Sequence, residues 1–511
     1  LSPWSDPCLR ILALSSIVVA SPPGCDGAEE APLPPCGARA GDFPEPVEGR
    51  CRAVVADERA LLAVGPDGEG GFVLPGGQRV VEAGATVTLP GFPMAGIAIP
   101  ATPYVVVSDG GKLDEALTVV DVDAMEVVDR EWFYEDEGEA LFLGLAASED
   151  GARLWASGGG SNVVHALDVD RDSGQLEPAV DDRITVADDV SDGYVSGIAL
   201  RPDGLLAINL LFGDELLLYD TVAREEVARV PLQRGASPYA VIFSPEGATA
   251  YVSLWARRAV VAVDVASGEV QREIPVGKNP QGLTLSPEGE RLIVANADSD
   301  SLSVIDLATG AVDETLWIVG QDAPRGASPT TVRFGPGGSL YVVNAFENAV
   351  DVMAPSGSGF TRIGRIPTMW HPTDVVPLED GSVALVNGRG VGTGPNVTPG
   401  DTDIMDLVGG SVTVVPEEDL AEDQLREWEV EVETRNTHMQ GFGDVECPEG
   451  ADYDFPIPLP GMGPSGRIRH VVLIVRENKT YDAYMGCLTD ENGEPMGNGD
   501  PSMTLIEADV V

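Results

Sequence analysis

An internal repeat dominates the middle of the chain and limits what it can fold into. Copies of one turn, most of them written Ser-Pro-Glu-Gly or a close variant, end at glycines spaced 53, 43, 42, 49 and 43 residues apart. These glycines are Gly151, Gly204, Gly247, Gly289, Gly338 and Gly381. A repeat of this length is one supersecondary unit, which buries its apolar surface only when neighbouring copies stack. The sequence therefore predicts an array of similar units.

Each unit contains short β-branched segments separated by turn signals. Thr249–Ser253 and Ala259–Asp264 represent the pattern, and Gly268 follows Asp264 at a distance of four residues. An aspartate at a strand end accepts hydrogen bonds from the following turn, and a glycine adopts the positive φ that a hairpin needs. The equivalent aspartates in other units are predicted to be Asp121, Asp168, Asp220 and Asp306. Each unit is thus expected to form about four short antiparallel strands.

Stacked sheets of this kind hide their edges when they close into a ring. We therefore predict an all-β fold, a seven-bladed β-propeller over residues 53–416, and an eighth blade stays open as an alternative. Residues 53–94 either close the ring or form that eighth blade, and residues 410–415 are a late strand of the last unit. A helix is predicted over 416–432, at the start of a linker that covers 417–466. The predicted blades are 95–140, 141–194, 195–236, 237–278, 279–327, 328–370 and 371–416.

The charge balance excludes one class of partner. The chain has 83 Asp and Glu against 31 Lys and Arg, a formal net charge of −52. A surface this negative repels phosphate backbones, which excludes nucleic acid as a partner. Two acidic stretches, 181–192 and 401–406, are either calcium sites or solvated loops. Because neither has the regular spacing of a calcium loop, solvated loops are the favoured interpretation.

The four histidines do not show the spacing of paired metal ligands. His371 stands before Pro372 in the turn that starts a predicted blade, near the expected mouth of the central channel. It has a turn role or a ligand-binding role, and the turn role is favoured.

The N-terminus is typical of an exported protein. Ile11–Ala20 is an apolar run too short to cross a bilayer but suited to a secretory signal, so residues 1–24 are predicted to be a signal peptide and 25–52 a Pro-rich tether. Cleavage after Ala20 and lipoprotein-type cleavage before Cys25 both remain open. We expect an extracytoplasmic protein, secreted, periplasmic or on the outer surface. Its only membrane contact would be a lipid on Cys25, in the case of lipoprotein-type cleavage.

Four further cysteines are predicted to form structural disulfides in this oxidising setting. They pair either as sequence neighbours or across the two ends of the ring. They are Cys36, Cys51, Cys447 and Cys487.

A different pattern begins at Arg467. Val471–Val475 is a continuous apolar run, typical of a strand buried on both faces of a parallel sheet. Glu477 and Asn478 follow it directly, and a helix is predicted from Thr480. Sites in open α/β sheets form at the carboxyl ends of strands, and a carboxylate beside an amide oxygen suits a hard divalent cation. Glu477 and Asn478 are therefore candidate metal ligands, although Asn478 is also able to cap the helix.

Two resemblances follow from these motifs. The repeats, with Tyr251-Val-Ser, Val294-Ala-Asn and Val343-Asn, resemble the YVTN-type propellers of secreted bacterial and archaeal proteins. The segment His470-Val-Val-Leu-Ile-Val-Arg-Glu-Asn-Lys-Thr-Tyr-Asp482 resembles the opening motif of the bacterial phosphoesterase family of acid phosphatases and phospholipases C, within the alkaline-phosphatase-like superfamily. By this resemblance, residues 467–511 are the first strand–helix unit of an incomplete α/β domain, and Glu477 and Asn478 hold a divalent metal ion.

The family's hydroxyl nucleophile has no matching position before Val511. We therefore expect this chain to be a fragment whose parent is a metal-dependent phosphoesterase acting on a phosphate-ester substrate, with the chain alone inactive and binding no metal tightly. The alternative is a non-enzymatic binding or adhesion propeller that takes a small ligand or a protein at its face.

Overall fold

The computed structural model describes residues 52–53, 65–68, 70–74, 77–110, 114–134, 138–319, 326–357, 359–391, 409–436, 445–446 and 468–470. Within these residues the chain forms antiparallel sheets arranged as a seven-bladed β-propeller. The prediction of an all-β propeller is confirmed. The signal peptide, the tether up to residue 51, the six cysteines and the predicted strand–helix unit after His470 lie outside the described residues.

Each blade is a meander in which strands that are neighbours in the sheet are mostly neighbours in sequence. The four strands of blade 1 are β6 (Phe92–Ala98), β7 (Tyr104–Gly110), β8 (Asp114–Asp121) and β9 (Glu126–Tyr134). Those of blade 2 are β10 (Leu145–Ala147), β11 (Arg153–Ser157), β12 (Val163–Val169) and β13 (Leu176–Pro178), with β14 (Ile184–Thr185) also paired to β12. Those of blade 3 are β15 (Val195–Leu200), β16 (Leu205–Leu210), β17 (Glu215–Asp220) and β18 (Glu225–Pro231).

The same order continues around the ring. Blade 4 consists of β19 (Pro238–Phe243), β20 (Thr249–Leu254), β21 (Ala259–Asp264) and β22 (Glu269–Pro275). Blade 5 consists of β23 (Pro280–Leu285), β24 (Arg291–Asn296), β25 (Ser301–Asp306) and β26 (Ala311–Trp317). Blade 6 consists of β27 (Pro329–Phe334), β28 (Leu340–Asn344), β29 (Ala349–Ser356) and β30 (Gly359–Pro367).

Blade 7 closes the ring by combining both ends of the propeller. Its strands are β31 (Pro372–Pro377), β32 (Val383–Asn387), β33 (Gly410–Val415) and β5 (Ala85–Leu89). The outermost strand β5 therefore comes from before blade 1, and it pairs antiparallel with β33 in a register that joins Leu89 to Gly410. Residues 53–94 were expected either to close the ring or to form an eighth blade. For residues 85–89 the sheets show ring closure.

Apolar side chains fill every interface between neighbouring blades of the described ring, blade 7 against blade 1 included. The first strand of each blade lies innermost and contacts the first strands of both neighbours. Glycines permit this approach: a Cβ on Gly197 would lie 2.4 Å from the carbonyl oxygen of Tyr239. A side chain at this position would push two blades apart.

The hairpins follow the predicted turn chemistry, with one correction. Asp264 Oδ1 accepts a hydrogen bond from Ser267 N at 2.8 Å, and Gly268 has a φ of 68°. In blade 2, however, Asp170 accepts the equivalent bonds from Asp172 N and Ser173 N. The prediction of Asp168 for this role was wrong, because β12 runs on to Val169 before the turn begins. Asp168 instead forms an ion pair with Arg153 at 3.3 Å.

Two smaller elements lie outside the ring. A three-stranded sheet consists of β2 (Gly65–Pro66), β3 (Gly71–Val73) and β4 (Arg79–Val81), and helix α1 covers Glu422–Asn436. The helix begins later than predicted, because a 3₁₀ turn over Glu417–Leu420 ends at Ala421, whose backbone is extended. No helix among the described residues is long and apolar enough to cross a membrane.

Helix α1 packs along β30, the outermost strand of blade 6. Leu425 is fully buried there, and a Cβ on Gly364 would lie 2.5 Å from the Leu425 carbonyl carbon. An ion pair joins Glu429 of the helix to Arg362 of β30 at 2.8 Å. Because the helix fits closely and is tied by charge, it is a fixed extension of the propeller.

The two flanks of the ring also pair with each other. Strand β1 (Arg52–Ala53) pairs antiparallel with β34 (Val445–Glu446), in a register that places Arg52 opposite Glu446. In sequence, Cys51 directly precedes Arg52 and Cys447 directly follows Glu446, and both cysteines lie outside the described residues. Both pairings expected from the sequence therefore stay predictions, and the nearness in sequence to this strand pair makes the bridge across the two ends of the ring the one to test.

We therefore predict that exported protein contains a Cys51–Cys447 bridge. Peptide mapping under non-reducing conditions is expected to recover one linked peptide that contains both residues and that separates on reduction. The bridge would close a loop of several hundred residues, and the chain-entropy model gives about 6 kcal/mol of stabilisation for a loop of this order. A Cys36–Cys51 peptide in the same map would contradict the prediction.

Candidate functional site

A cavity bounded by described residues lies on the axis of the ring. It has a volume of about 480 Å³, and residues from the innermost strands of all seven blades line it. A volume of this size is typical of sites for small molecules. We call this space the channel cavity.

Turns that precede innermost strands contribute to the mouth of the cavity, where Ser328 and His371 are lining residues. In blades 3 to 7 this turn contains a non-glycine residue with positive φ, an uncommon conformation that needs external support. The series is Tyr194, Ser237, Asn279, Ser328 and His371, with φ values of 63°, 49°, 53°, 52° and 58°.

The preceding blade supplies this support in four of the five turns. A side-chain oxygen from the loop between its second and third strands accepts the backbone N–H of the positive-φ residue. The bonds are Tyr194 N to Asn162 Oδ1 at 2.7 Å, Ser237 N to Asp214 Oδ1 at 2.9 Å, Ser328 N to Asp300 Oδ1 at 2.9 Å and His371 N to Asn348 Oδ1 at 3.0 Å. Side-chain bonds between blades therefore fix four of these turns, including the two whose residues Ser328 and His371 line the mouth.

His371 has the predicted turn conformation and also lines the cavity. Its ring lies between those of Phe92 and Phe346, with both centroids 5.8 Å away. Burial, together with the positive charge of Arg389, lowers the pKa of His371 to about 4. The imidazole is therefore uncharged at neutral pH and belongs to an aromatic group on this side of the mouth.

A second aromatic group lies on blades 2, 3 and 4. Phe142 meets Tyr194 edge to face at 5.2 Å and Tyr239 at 6.4 Å, and Tyr194 contacts Phe212 at 4.8 Å. Phe212 is 53% exposed, so this group reaches from the cavity to solvent. Tilted and edge-to-face pairs of this kind hold aromatic rings at defined angles.

One ion pair provides the fixed charge of the cavity. Arg333 Nη2 lies 3.0 Å from Asp374 Oδ2, with Arg333 on β27 and Asp374 on β31. The aspartate side chain is 4% exposed and the arginine side chain 46% exposed. The carboxylate is thus part of the protein interior, while the guanidinium faces the open space.

The predicted metal ligands Glu477 and Asn478 lie outside the described residues, so their assignment stays a prediction. Within the described part of the chain, no three carboxylate, histidine or cysteine side chains cluster as a metal site requires. In the acidic stretch 181–192, Asp182 forms ion pairs with Arg153 and Arg224. The second stretch, 401–406, is outside the described residues.

Two other histidines can be placed. His165 is buried, with Nε2 at 3.0 Å from the Ala140 carbonyl oxygen and its ring against Phe133. Burial lowers its pKa to about 4, which is consistent with a packing role. His470 is exposed at the edge of the described residues.

Arg333 and Asp374 were not predicted as site residues from the sequence, although the repeat contains a signal for them. When the units are aligned on their first-strand prolines, Arg333 takes the place of Ile242 and Thr284. Asp374 takes the place of Ala240 and Gly282. The aligned residues of these other units are small or uncharged. A charged residue at such a position departs from the repeat, and this departure is the signal that points to Arg333 and Asp374.

Comparisons with known proteins give fold neighbours only. No family model and no curated protein matches the chain. Hydrazine synthase of Kuenenia stuttgartiensis is 19% identical, with coverage of 58% of this chain and 92% of that one and a TM-score of 0.47. Virginiamycin B lyase from Staphylococcus aureus is 13% identical (64% and 98% coverage, TM-score 0.48), and a streptogramin B lyase structure is 14% identical (66% and 97% coverage, TM-score 0.49). Identities and TM-scores this low carry no inference about function. The sheets themselves establish that this chain contains a seven-bladed β-propeller.

Proposed function

We propose that the propeller is a ligand-binding module that takes a small molecule into the channel cavity. The observation that carries this proposal is the combination of a cavity of about 480 Å³, two aromatic groups at its mouth and one anchored guanidinium within it. Binding sites for small molecules typically combine apolar and aromatic surface with a few well-placed polar groups. This is the binding alternative of the two functions expected from the sequence.

A bulky residue in the channel tests the proposal. Gln281 lines the cavity, so Gln281→Trp is expected to fill part of it and to weaken binding of single-ring aromatic compounds at least 10-fold. Saturation-transfer NMR with benzyl alcohol, benzoate, phenyl phosphate and benzylammonium measures this binding. The matched control is Gln271→Trp, at an exposed position on the outermost strand β22. Equal weakening in both variants, or no binding of any of the four compounds to the unmodified protein, would contradict the proposal.

A second function is proposed for the parent protein, on the sequence motif at residues 470–482. Its resemblance to the phosphoesterase family supports a metal-dependent hydrolase of phosphate esters, in which Glu477 and Asn478 contribute two oxygen ligands. A divalent ion held there would polarise a phosphoryl oxygen of the substrate.

A phosphatase assay of the chain extended beyond Val511 tests this function. Glu477→Gln is expected to lower activity on a generic phosphate ester by at least about 100-fold, because outer-shell partners alone are worth 10- to 100-fold. A chelator is expected to have the same effect on the unmodified protein. Glu427→Gln, at an exposed position on α1, is the control. Full activity of the Glu477 variant or indifference to chelator would remove the assignment, and the channel proposal would stand unaffected.

A further inference from the structure

We infer that the ligand of the channel cavity is an organic anion, with a carboxylate or phosphate group that pairs with Arg333 and a planar apolar body that lies between the two aromatic groups. The inference rests on the proposed binding function and names its ligand class.

The first step concerns the orientation of the guanidinium. Arg333 directs Nε and Nη2 towards the two carboxylate oxygens of Asp374, at 3.4 and 3.0 Å. Among the described residues, Nη1 has no hydrogen-bond partner, and the side chain is 46% exposed in the cavity. A guanidinium held on one edge by a carboxylate keeps a second donor edge for a ligand. Because the carboxylate fixes the fork, little conformational entropy is lost when a ligand binds it.

The second step concerns the balance of charge around Asp374. Its Oδ1 also accepts a hydrogen bond from Val375 N at 2.9 Å, and its Oδ2 accepts one from Gly96 N at 3.1 Å. Each oxygen therefore has a backbone donor besides the arginine, and the side chain is 4% exposed. This carboxylate is unavailable to a cationic ligand, so the accessible charge of the ion pair is the positive one.

The third step concerns the remaining polar groups of the lining. His371 is uncharged at neutral pH, as shown above, and brings no negative charge. The Thr330 hydroxyl, whose oxygen is buried, is able to donate or to accept and so favours neither sign of charge. The exposed guanidinium of Arg333 is therefore the accessible charge of this lining, which favours a ligand that carries a negative group.

The fourth step concerns the apolar body of the ligand. Phe92, Phe346 and Phe142 all line the same cavity as Arg333. A ligand ring inserted between these aromatic side chains would gain about 25 cal/mol of binding free energy for each Å² of apolar surface that it buries. The hydrogen bonds between its acidic group and Arg333 would fix its orientation. The formal charge of −52 opposes the approach of an anion, and this opposition weakens at physiological salt, where exposed charges are screened over about 8 Å.

The test compares charge-matched probes on the folded protein. Benzoate and phenyl phosphate are expected to bind at least 10-fold more tightly than benzyl alcohol and benzylammonium in isothermal titration and saturation-transfer NMR. The ratio of the two anion affinities then identifies the preferred acidic group. Arg333→Gln is expected to reduce both anions to the level of benzyl alcohol, whose own affinity stays unchanged. Arg257→Gln, an exposed arginine in the loop after β20, is the matched control and is expected to change nothing.

Because Arg333→Gln alone leaves a buried carboxylate without its main partner, the double variant Arg333→Gln/Asp374→Asn provides a neutral pair in the same place. Loss of anion selectivity in this variant, with its thermal transition preserved, supports the inference. Equal binding of all four probes to the unmodified protein would overturn it while the channel function survives. Retention of anion binding in the folded double variant would overturn it as well, and binding of no probe would remove both proposals.

Discussion

A protein that begins at Gly91 is expected to lose the closed ring. It lacks β5, so blade 7 keeps only three strands, and β33 becomes an open edge beside blade 1. Leu89, which is 2% exposed, contributes roughly 1.5–3 kcal/mol by burial, and the ladder from Ala85 to Leu89 adds to this. The sum is a large part of the 5–15 kcal/mol that holds a typical domain together.

The expected result is a marked fall in the thermal unfolding temperature, accompanied by aggregation, because an unpaired edge strand recruits other chains. Circular dichroism melting and size-exclusion chromatography measure both effects. The control begins at Glu82, so it keeps β5 but lacks the three-stranded sheet β2–β4. If the two shortened proteins melt at the same temperature, β5 does not hold the ring closed.

The second large effect is expected at the buried charges of blade 6. Asp351 is fully buried and forms ion pairs with Arg365 at 2.9 Å and with Arg362 at 3.3 Å. Asp351→Asn removes the negative charge between two arginines, of which Arg365 is itself 5% exposed. Breaking a buried pair by removing one partner typically costs 3–5 kcal/mol, so we expect a loss of about 4 kcal/mol in the free energy of unfolding.

Urea unfolding measures this loss. The matched control is Glu422→Gln, which breaks an exposed pair with Arg426 on α1. Exposed pairs contribute about 1 kcal/mol or less, so this variant is expected to unfold near the midpoint of the unmodified protein. Similar unfolding midpoints for the two variants would contradict the prediction, because they would mean that solvent screens the charge of Asp351 as strongly as it screens the exposed pair on α1.

The repeats predicted the blades because each hairpin is a local event. The turn from Asp264 to Gly268 needs only residues that lie next to each other, and the same residue types recur at Asp306 and Gly310. The error at Asp168 was a shift of two residues within one such turn. Local chemistry identified the turn there but did not fix where β12 ends.

The pairing of β5 was not decided by the sequence, because nothing near Ala85–Leu89 distinguishes the end of one blade from the start of another. Its partner strand lies hundreds of residues away, and the contacts that select it are tertiary. The channel is a similar case. Arg333 and Asp374 lie on different blades, and only ring closure brings an arginine of β27 to an aspartate of β31.

Ring closure also sets the order of events during synthesis. The hydroxyls of Thr86 on β5 and Thr413 on β33 lie 2.9 Å apart but are separated by 327 positions in the chain. Joining these ends costs about 2 kcal/mol more loop entropy than joining neighbouring units of about 42 residues, at roughly 0.6 kcal/mol for each doubling of length. Contacts this distant in sequence also slow folding. Blades 1 to 6 are therefore synthesised before β33 exists, and β5 stays unpaired until residue 415 has been made. Until then the propeller is an open array of blades with exposed strand edges, so closure of the ring is a late and separate step of its folding.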